Sequence, residues 1–554
     1  MNYKLLFLLF FATLTVSAQE GLVLRGDCTP ISEDEAAAAK GMTPLRLPNP
    51  NTQWDADKTY SQLVILFSFS DTDFNFDNPQ QVYDNMLNAK GYNQRQGKGC
   101  VADYYREQSG GLLNLQFDVL GPVTISTVAQ PYASPNSNTR NYGREQFREA
   151  TNMILAAYPD LDYSIYDWNG DGFIEQVVYI YAGYSGNQNS QKCYGHIWPN
   201  TSSFSAITTP DGKRISNYTA SGELWSNNLS CGIGTICHEF THSLGLPDIY
   251  PTNPNAGYSA VDEWDLMDGG NFTNYGWCPP NFSALEKMLM GWLTPVELSG
   301  PATILNMKPV SQGGEVYQIK HTNNEYLLLE NRQWDGWDAG LPGKGLAVFH
   351  VNYNRSAWSG NTVNNTEGKY KYHLFNADNI DSYEEWQNLL IARGVTTQNG
   401  TYQNSNRMNR WVFSSASYPW TTDSTDVFLD SLTNESVPAT LMYNDKNGSK
   451  FLSKPITRIR QNADGTLSFR FMGGVRMKGD MDDDDHFTIA DIVAVTNVIA
   501  LGGNDEQWEI ADVNSDGKVN VADIIFLQMM MARTTLPVGD EETNDSYKSS
   551  VKAR

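Results

Sequence analysis

The chain has 554 residues and a formal net charge of −24, with 63 Asp and Glu against 39 Lys and Arg. That length exceeds what one hydrophobic core serves, so several domains of roughly 50–200 residues are expected. The acidity argues against a nucleic-acid partner, whose phosphates call for a basic face, and suits the binding of cations.

Residues 1–18 read as a secretory signal: Lys4, the apolar run Leu5 to Leu14, and small residues Val16-Ser17-Ala18 before Gln19. A membrane anchor needs ~20 apolar residues; this run is shorter, and no later stretch is apolar enough to span. The expectation is export to the extracellular space, the cell surface or a periplasm. Residues 19–59, Ala-rich and acidic and then carrying Pro44, Pro48 and Pro50, read as a pro-segment and linker. Export permits disulfides among Cys28, Cys100, Cys193, Cys231, Cys237 and Cys278, in a pairing the spacing does not choose.

Residues 60–299 begin with Ser61 to Phe69, an apolar, β-branched run that predicts a strand. Helices are predicted over Val82 to Lys90, Val101 to Gln108 and Tyr142 to Tyr158, and a half-buried strand over Leu112 to Val119. The run Tyr166 to Glu175 places Asp167, Asn169 and Asp171 at alternate positions, then Gly172 for a turn, then Glu175. Such oxygens suit a hard cation such as calcium, in a structural role beside the strand Gln176 to Ala182; the other reading is a polar turn. His196 follows a long polar loop, where a cleft histidine and a packed histidine are both open readings.

Residues Cys237 to Asp248 hold His-Glu-x-x-His-x-x-Gly-x-x-Asp. On a helix, positions i and i+4 share a face with Cβ atoms roughly 5–6 Å apart, so His238 and His242 can reach one metal ion. Glu239 stands where a carboxylate meets a water on that ion. Gly245 and Pro247 end the helix. The chain then turns back, and Asp248 is the nearest acid for a third ligand. Asp262 and Glu263 are alternatives, lying just before a Met-containing turn, Trp264 to Gly270, in which Met267 should pack beneath the metal. Tyr275 is either a hydrogen-bond donor to a developing oxyanion or a buried structural tyrosine. A thiolate at Cys28 could fill the metal's open position and hold the protein latent; the alternative is an ordinary disulfide or free thiol. Phe282 to Gly291 predicts a further helix.

Residues 300–473 read mainly as strands, with Val316 to Ile319, Tyr326 to Glu330, Leu346 to Val351, Leu441 to Tyr443 and Thr466 to Phe471 as examples. Asn-rich loops such as 360–365 separate them, and the whole is β-sandwich-like, packed on or continuing what precedes it. Residues 474–535 contain two copies of an acidic loop, 32 residues apart. Asp480, Asp482, Asp484 and Asp491 in the first align with Asp512, Asn514, Asp516 and Asp523 in the second. Oxygens at loop positions one, three, five and twelve follow calcium-loop logic, each loop leading into an apolar helix, Ile492 to Ala500 and Ile524 to Ala532. Asp485 stands where the second copy has Gly517, which makes the first turn less favourable. Residues 536–554 are a polar, charged tail.

On these residues the region Ser61 to Val351 resembles the immune inhibitor A family of secreted zinc metallopeptidases. The resemblance rests on Val64 to Asp71, Asp103 to Gly111, the Asp-Trp-Asn-Gly-Asp-Gly run, His238 to Asp248 and Trp264 to Gly270; Glu330-Asn331-Arg332 and Gly345 to Val351 match less specifically. Pro251 departs from the family, which often has an Asp there. Residues 478–533 resemble a type I dockerin, the departure being Asp485. The implied fold class is multidomain α+β: a zincin- or metzincin-like catalytic domain, a β-sandwich-like domain and a small all-α calcium-binding module. The resemblance implies one catalytic zinc on His238, His242 and Asp248, with Glu239 as general base in peptide-bond hydrolysis. It also implies removal of a pro-segment and structural calcium, two ions in the dockerin-like module and one in the catalytic domain. The substrate would be a protein or glycoprotein, and the partner a cohesin-like module. The rival functions are an adhesin or scaffold on a degenerate peptidase fold, and a zinc hydrolase acting on mucin-type glycoproteins.

Overall fold

The computed structural model describes residues 54–131, 140–187, 193–225, 228–253, 259–366, 368–377, 430–484 and 486–535. The signal sequence, most of the pro-segment, Cys28, Asp485 and the tail lie outside these. The chain divides into two compact units: residues up to 300 together with 304–469, and residues 301–303 together with 470 onward.

The first unit is built on a five-stranded sheet with strand order β2-β1-β3-β5-β4. Its strands are β1 (Thr59–Ser68), β2 (Asn114–Thr124), β3 (Val177–Tyr184), β4 (Asn200–Thr208) and β5 (Arg214–Leu224). β1 pairs in parallel with β2 and β3, β3 pairs in parallel with β5, and β4 lies antiparallel to β5 at the edge. Successive residues of a strand face opposite sides. Val64 and Leu66 therefore enter one buried cluster with helices α1 (Pro79–Asn88) and α2 (Val101–Gln108). Leu63, Ile65 and Phe67 enter the other, with Phe147, Ala150 and Ile154 of α3 (Arg144–Ala157). Both faces are covered, which is why β1 reads as an unbroken apolar run.

Helix α1 starts earlier than its apolar pattern predicts, because the Asn78 side chain accepts from Gln81 N at 3.2 Å and Pro79 fits the first turn. The β4–β5 hairpin corrects the sequence reading, which assigned no strands between His196 and Leu224. β4 is a polar edge strand beginning Asn200-Thr201-Ser202-Ser203, and β5 buries Thr219, Ser221 and Glu223, so neither shows apolar alternation.

Helices α4 (Ile233–Ser243) and α5 (Ala284–Leu289) join the first of those clusters through Ile233, Ile236, Phe240, Ala284 and Leu285. A second five-stranded sheet follows: β6 (Val296–Glu297), β8 (Tyr317–Lys320), β9 (Glu325–Arg332), β10 (Gly345–Asn352) and β11 (Tyr372–Leu374), in the order β11-β10-β9-β8-β6. Leu328, Ala347, Phe349, Tyr372 and Leu374 belong to the same buried cluster as α4, so these strands share the core of the metal-motif helix. A short helix, α6 (Arg355–Ser359), lies between β10 and β11. β7 (Ala302–Met307) forms a three-stranded sheet with β14 (Ile456–Gln461) and β15 (Leu467–Phe471), and β12 (Leu441–Lys446) pairs with β13 (Ser449–Phe451).

The second unit carries α7 (Ile489–Leu501), α8 (Asp505–Ala511) and α9 (Val521–Thr535). Val495, Val498, Ala511, Val513 and Leu527 form its core, far smaller than that of the first unit. A core of this size rarely holds a domain without a staple.

Candidate metal centre

Helix α4 is buried along almost its whole length, from Ile233 to His242. It starts at Gly232 and Gly234 because nothing larger fits. A Cβ on Gly232 would stand 2.2 Å from Gly276 C, and one on Gly234 would stand 2.1 Å from Asn271 O. Tyr105 of α2 fixes the middle of the helix, its hydroxyl 2.7 Å from Cys237 O and 2.8 Å from Thr241 Oγ1. The helix ends as the sequence predicts. Gly245 takes φ +108° and its N–H reaches His242 O at 2.9 Å.

The chain then brings Asp248 back. Its Oδ1 lies 3.2 Å from His238 Nε2 and 3.1 Å from His242 Nε2. Each imidazole is oriented through its other nitrogen. His238 Nδ1 donates to Leu266 O at 2.8 Å, and His242 Nδ1 to Leu246 O at 2.8 Å. Such backbone anchors fix the tautomer and leave Nε2 as the lone-pair donor. The ligand atoms of His238, His242 and Asp248 all lie within 4.8 Å of one another. Two imidazole nitrogens and one carboxylate oxygen, converging with their outer partners in place, fit zinc with a further position open.

Among the described residues, Asp262 and Glu263 are not in that group. Asp262 N instead donates to Asp268 Oδ2 at 2.9 Å, and Asp262 has φ +52°. Met267 is fully buried, and its carbonyl accepts from Ile249 N at 2.8 Å, tying the Met turn to the Asp248 segment. Tyr275 is half-buried against the core at φ +56°, and its carbonyl takes Trp225 Nε1 at 3.3 Å. His196 is buried, packed edge-on against Tyr184. Cys100, Cys231, Cys237 and Cys278 are buried free thiols, and Cys193 is buried as well.

Glu239 is buried beside the edge strand. The Thr201 hydroxyl of β4 stands 2.5 Å from Glu239 O and 3.1 Å from its Oε2. Burial pushes the Glu239 carboxyl up, with His238 and His242 pulling the other way. Burial would also raise Asp248, but the two imidazoles hold it far below the usual carboxylate range. For His242 burial disfavours the charge, and the Asp248 carboxylate outweighs it, taking the pKa to about 9.

Two contributors escaped the sequence reading. Tyr250 lies nearly parallel to the His238 ring, centroids 6.3 Å apart. Asn361 holds Asp248 in two directions: its Nδ2 donates to Asp248 Oδ2 at 2.7 Å, and its Oδ1 accepts from Asp248 N at 2.7 Å. Tyr250 sits within reach of the motif in sequence, but nothing in the Asn-rich loop 360–365 distinguishes Asn361 from its neighbours.

The three acidic loops share one backbone pattern. Asp171 N reaches Asp167 Oδ1 at 3.1 Å and Gly172 N reaches Asp167 Oδ2 at 2.9 Å. In the last loop Asp516 N reaches Asp512 Oδ1 at 3.0 Å and Gly517 N reaches Asp512 Oδ2 at 3.1 Å. Asn169 and Asn514 each accept from the Asp two residues on, at 2.9 Å in both cases. In the first loop of the second unit, Asp484 N reaches Asp480 Oδ1 at 3.0 Å. Closing acids reach back as well: Glu175 Oε2 to Trp168 N at 2.6 Å, Asp491 Oδ1 to Met481 N at 2.7 Å and Asp523 Oδ1 to Asn514 N at 3.2 Å. Asp480, Asp482 and Asp491 bring ligand oxygens within 4.8 Å of one another; among the described residues the acids of the other two loops do not. Lys213 Nζ lies 2.8 Å from Asp167 Oδ2, and Lys478 Nζ lies 3.3 Å from Asp512 Oδ2.

The first unit thus brings three metal-type donors together on one helix and the turn after it, and the second carries two acidic loops of cation-binding pattern. Residues 58–291 match the family model of the immune inhibitor A peptidase M6 catalytic domain, and residues 478–532 match that of the type I dockerin domain. It is similar to the pre-pro-metalloprotease PrtV of Vibrio cholerae serotype O1 (strain M66-2), 25% identical over 269 residues covering 44% of this chain and 28% of PrtV. It is also similar to immune inhibitor A of Bacillus thuringiensis subsp. alesti, 27% identical over 217 residues covering 33% of this chain and 30% of that protein. The chain thus spans less than a third of the length of these curated relatives.

Proposed function

We propose that the chain is a secreted zinc endopeptidase of zincin type that hydrolyses peptide bonds of extracellular proteins. The observation that supports it most is the convergence of His238 Nε2, His242 Nε2 and Asp248 Oδ1, each imidazole anchored through Nδ1. Zinc held there supplies Lewis acidity and brings the pKa of its water to about 7. With zinc bound, Glu239 would be the base that takes a proton from the attacking water and hands it to the leaving amine, a role suited to a carboxyl raised by burial. Thr201 limits the orientations open to the Glu239 carboxylate. Among the described residues β4 is the outermost strand of its sheet, and its edge, next to Glu239, offers backbone groups to an extended peptide.

Calcium belongs to this reading as a structural ion, in the two dockerin loops and in the Asp167–Glu175 loop. It cancels repulsion among carboxylates that a small core cannot otherwise hold together. Exposed apolar side chains on α7 and α9, including Ile489, Val493, Val521, Ile525 and Phe526, supply a face for a cohesin-type partner. Binding of a cohesin module to the immobilised full chain should vanish in EGTA.

The deciding experiment compares variants by zinc content and casein cleavage. Glu239→Ala should retain zinc and lose at least about a thousandfold in turnover, whereas His238→Ala should lose both. Casein cleavage by Glu239→Ala at the parent rate would exclude the assignment.

A further inference from the structure

The third donor is held by a residue from outside the matched catalytic region. Asn361 lies 113 residues beyond Asp248, in the loop after α6, whereas the M6 match ends at residue 291. Its amide meets Asp248 on both sides: Nδ2 donates to the carboxylate Oδ2, and Oδ1 accepts the Asp248 backbone N–H, both at 2.7 Å. The two carboxylate oxygens are thereby made unequal. Oδ2 is taken by an amide, and Oδ1 alone faces the two imidazole nitrogens.

The rest of the loop clasps the same segment. Thr252 Oγ1 donates to Asn361 O at 2.6 Å, Asn365 Nδ2 to Thr252 Oγ1 at 2.9 Å, and Asn253 N to Asn365 Oδ1 at 3.0 Å. Asn364, fully buried, bridges Ile249 O at 3.0 Å and Tyr372 O at 2.8 Å, so the clasp is joined to β11. Asn361 itself has φ +52°, a left-handed conformation that Asn and Gly adopt more readily than other residues. Local sequence alone leaves a turn of the type after α4 free to swing its carboxylate. Here the second sheet and its loop fix the turn from the far side.

We infer that Asn361 is a positioning residue for the metal centre, holding Asp248 as a one-oxygen ligand, and that the functional site therefore needs Asn361 and the asparagines that seat its loop, Asn364 and Asn365, as well as the matched catalytic region. The inference rests on the zinc reading of His238, His242 and Asp248. Outer partners of this kind typically account for ~10–100-fold in metal affinity.

The test uses two variants of the full chain. Asn361→Gly keeps the left-handed backbone and removes the amide. Asn361→Asp keeps the shape and the acceptor for Asp248 N, but replaces the donor with a second carboxylate against Oδ2. Zinc affinity is read by chelator competition at neutral pH, and ligand geometry by the visible spectrum of the cobalt-substituted protein. Expected are a ~10–100-fold loss for Asn361→Gly and a larger loss for Asn361→Asp. The cobalt band of Asn361→Gly should weaken as the freed carboxylate turns both oxygens to the metal. A purely structural role predicts the reverse order, because Asp preserves the packing that Gly removes. Parent-like affinity and spectrum in both variants, or Gly worse than Asp, overturns the inference. If Asn361→Gly fails to fold, Asn361→Ala replaces it in the same comparison, since it too removes the amide without adding a charge beside Asp248. Failure of the parent chain to bind zinc would instead sink the zinc reading, a separate result.

Discussion

The Asp167–Glu175 loop and the His238–Asp248 centre both present metal-type donors, yet they are built by opposite means. In the loop, every partner of Asp167 but one lies within five residues, and the exception is Lys213. The same pattern recurs at Asp512, in an unrelated unit, with Lys478. Short-range Asx hydrogen bonds write such a loop wherever the sequence occurs. The histidine centre takes donors from a helix and a turn, anchors from Leu266 and Leu246, and a clasp from Asn361. A contiguous site can thus form almost alone, whereas a dispersed site inherits its precision from the fold around it.

That contrast can be broken most sharply at Asp248. Asp248→Asn in the full chain should cost more zinc affinity than the ~10–100-fold typical of an outer partner, while Asp262→Asn and Glu263→Gln should leave affinity near the parent value. A larger loss in either of the latter would move the third ligand to the Met-turn segment.

The next effect is on the contiguous loops. Removing calcium with EGTA should melt α7 and α9, seen as lost helical circular dichroism and as protease cleavage between residues 478 and 532, with the first unit still folded. Persistence of both helices in EGTA would mean that the core around Val495 and Leu527 suffices without metal.

A smaller effect is expected at Lys213, whose ammonium pairs with Asp167. Burial opposes the Asp167 charge, and Lys213 with the loop amides holds its pKa below the ordinary value. Lys213→Met should lower the calcium-free thermal midpoint by a few degrees at most, with calcium restoring more of it than in the parent. An unchanged midpoint with and without calcium would make the loop a plain turn.

The smallest effect is a pH dependence far from either site. Glu325 is fully buried; burial would raise its pKa, but His350 and the backbone N–H groups of Tyr443 and Asn444 take it down to about 2. A carboxyl depressed in the fold stabilises above its unfolded pKa of about 4.3, and that stability is lost as pH falls toward the folded value. Between pH ~4.3 and 2, the parent should therefore lose stability faster than Glu325→Gln. Parallel curves for the two proteins would remove Glu325 from the account.

Much of this molecule was legible in its sequence. His238, Glu239, His242 and Asp248 lie within eleven consecutive residues, so helical spacing put the two imidazoles on one face and a glycine stop brought an acid back toward them, though the turn alone does not fix that acid's direction. The 32-residue repeat gave two loops and two helices because their hydrogen bonds are local. The β4–β5 hairpin stayed hidden because an edge strand needs no apolar alternation, and β5 buries polar residues, Thr219 donating to Gln176 Oε1 and Glu223 accepting from Gly183 N and Asn75 N. The choice of Asp248 over Asp262 and Glu263 was likewise open, since all three follow α4 closely and only the path of the turn separates them. Asn361 was beyond reach altogether. One asparagine among several in a loop carries no signal of its own, and its partner became its neighbour only when the second sheet packed into the same core as α4.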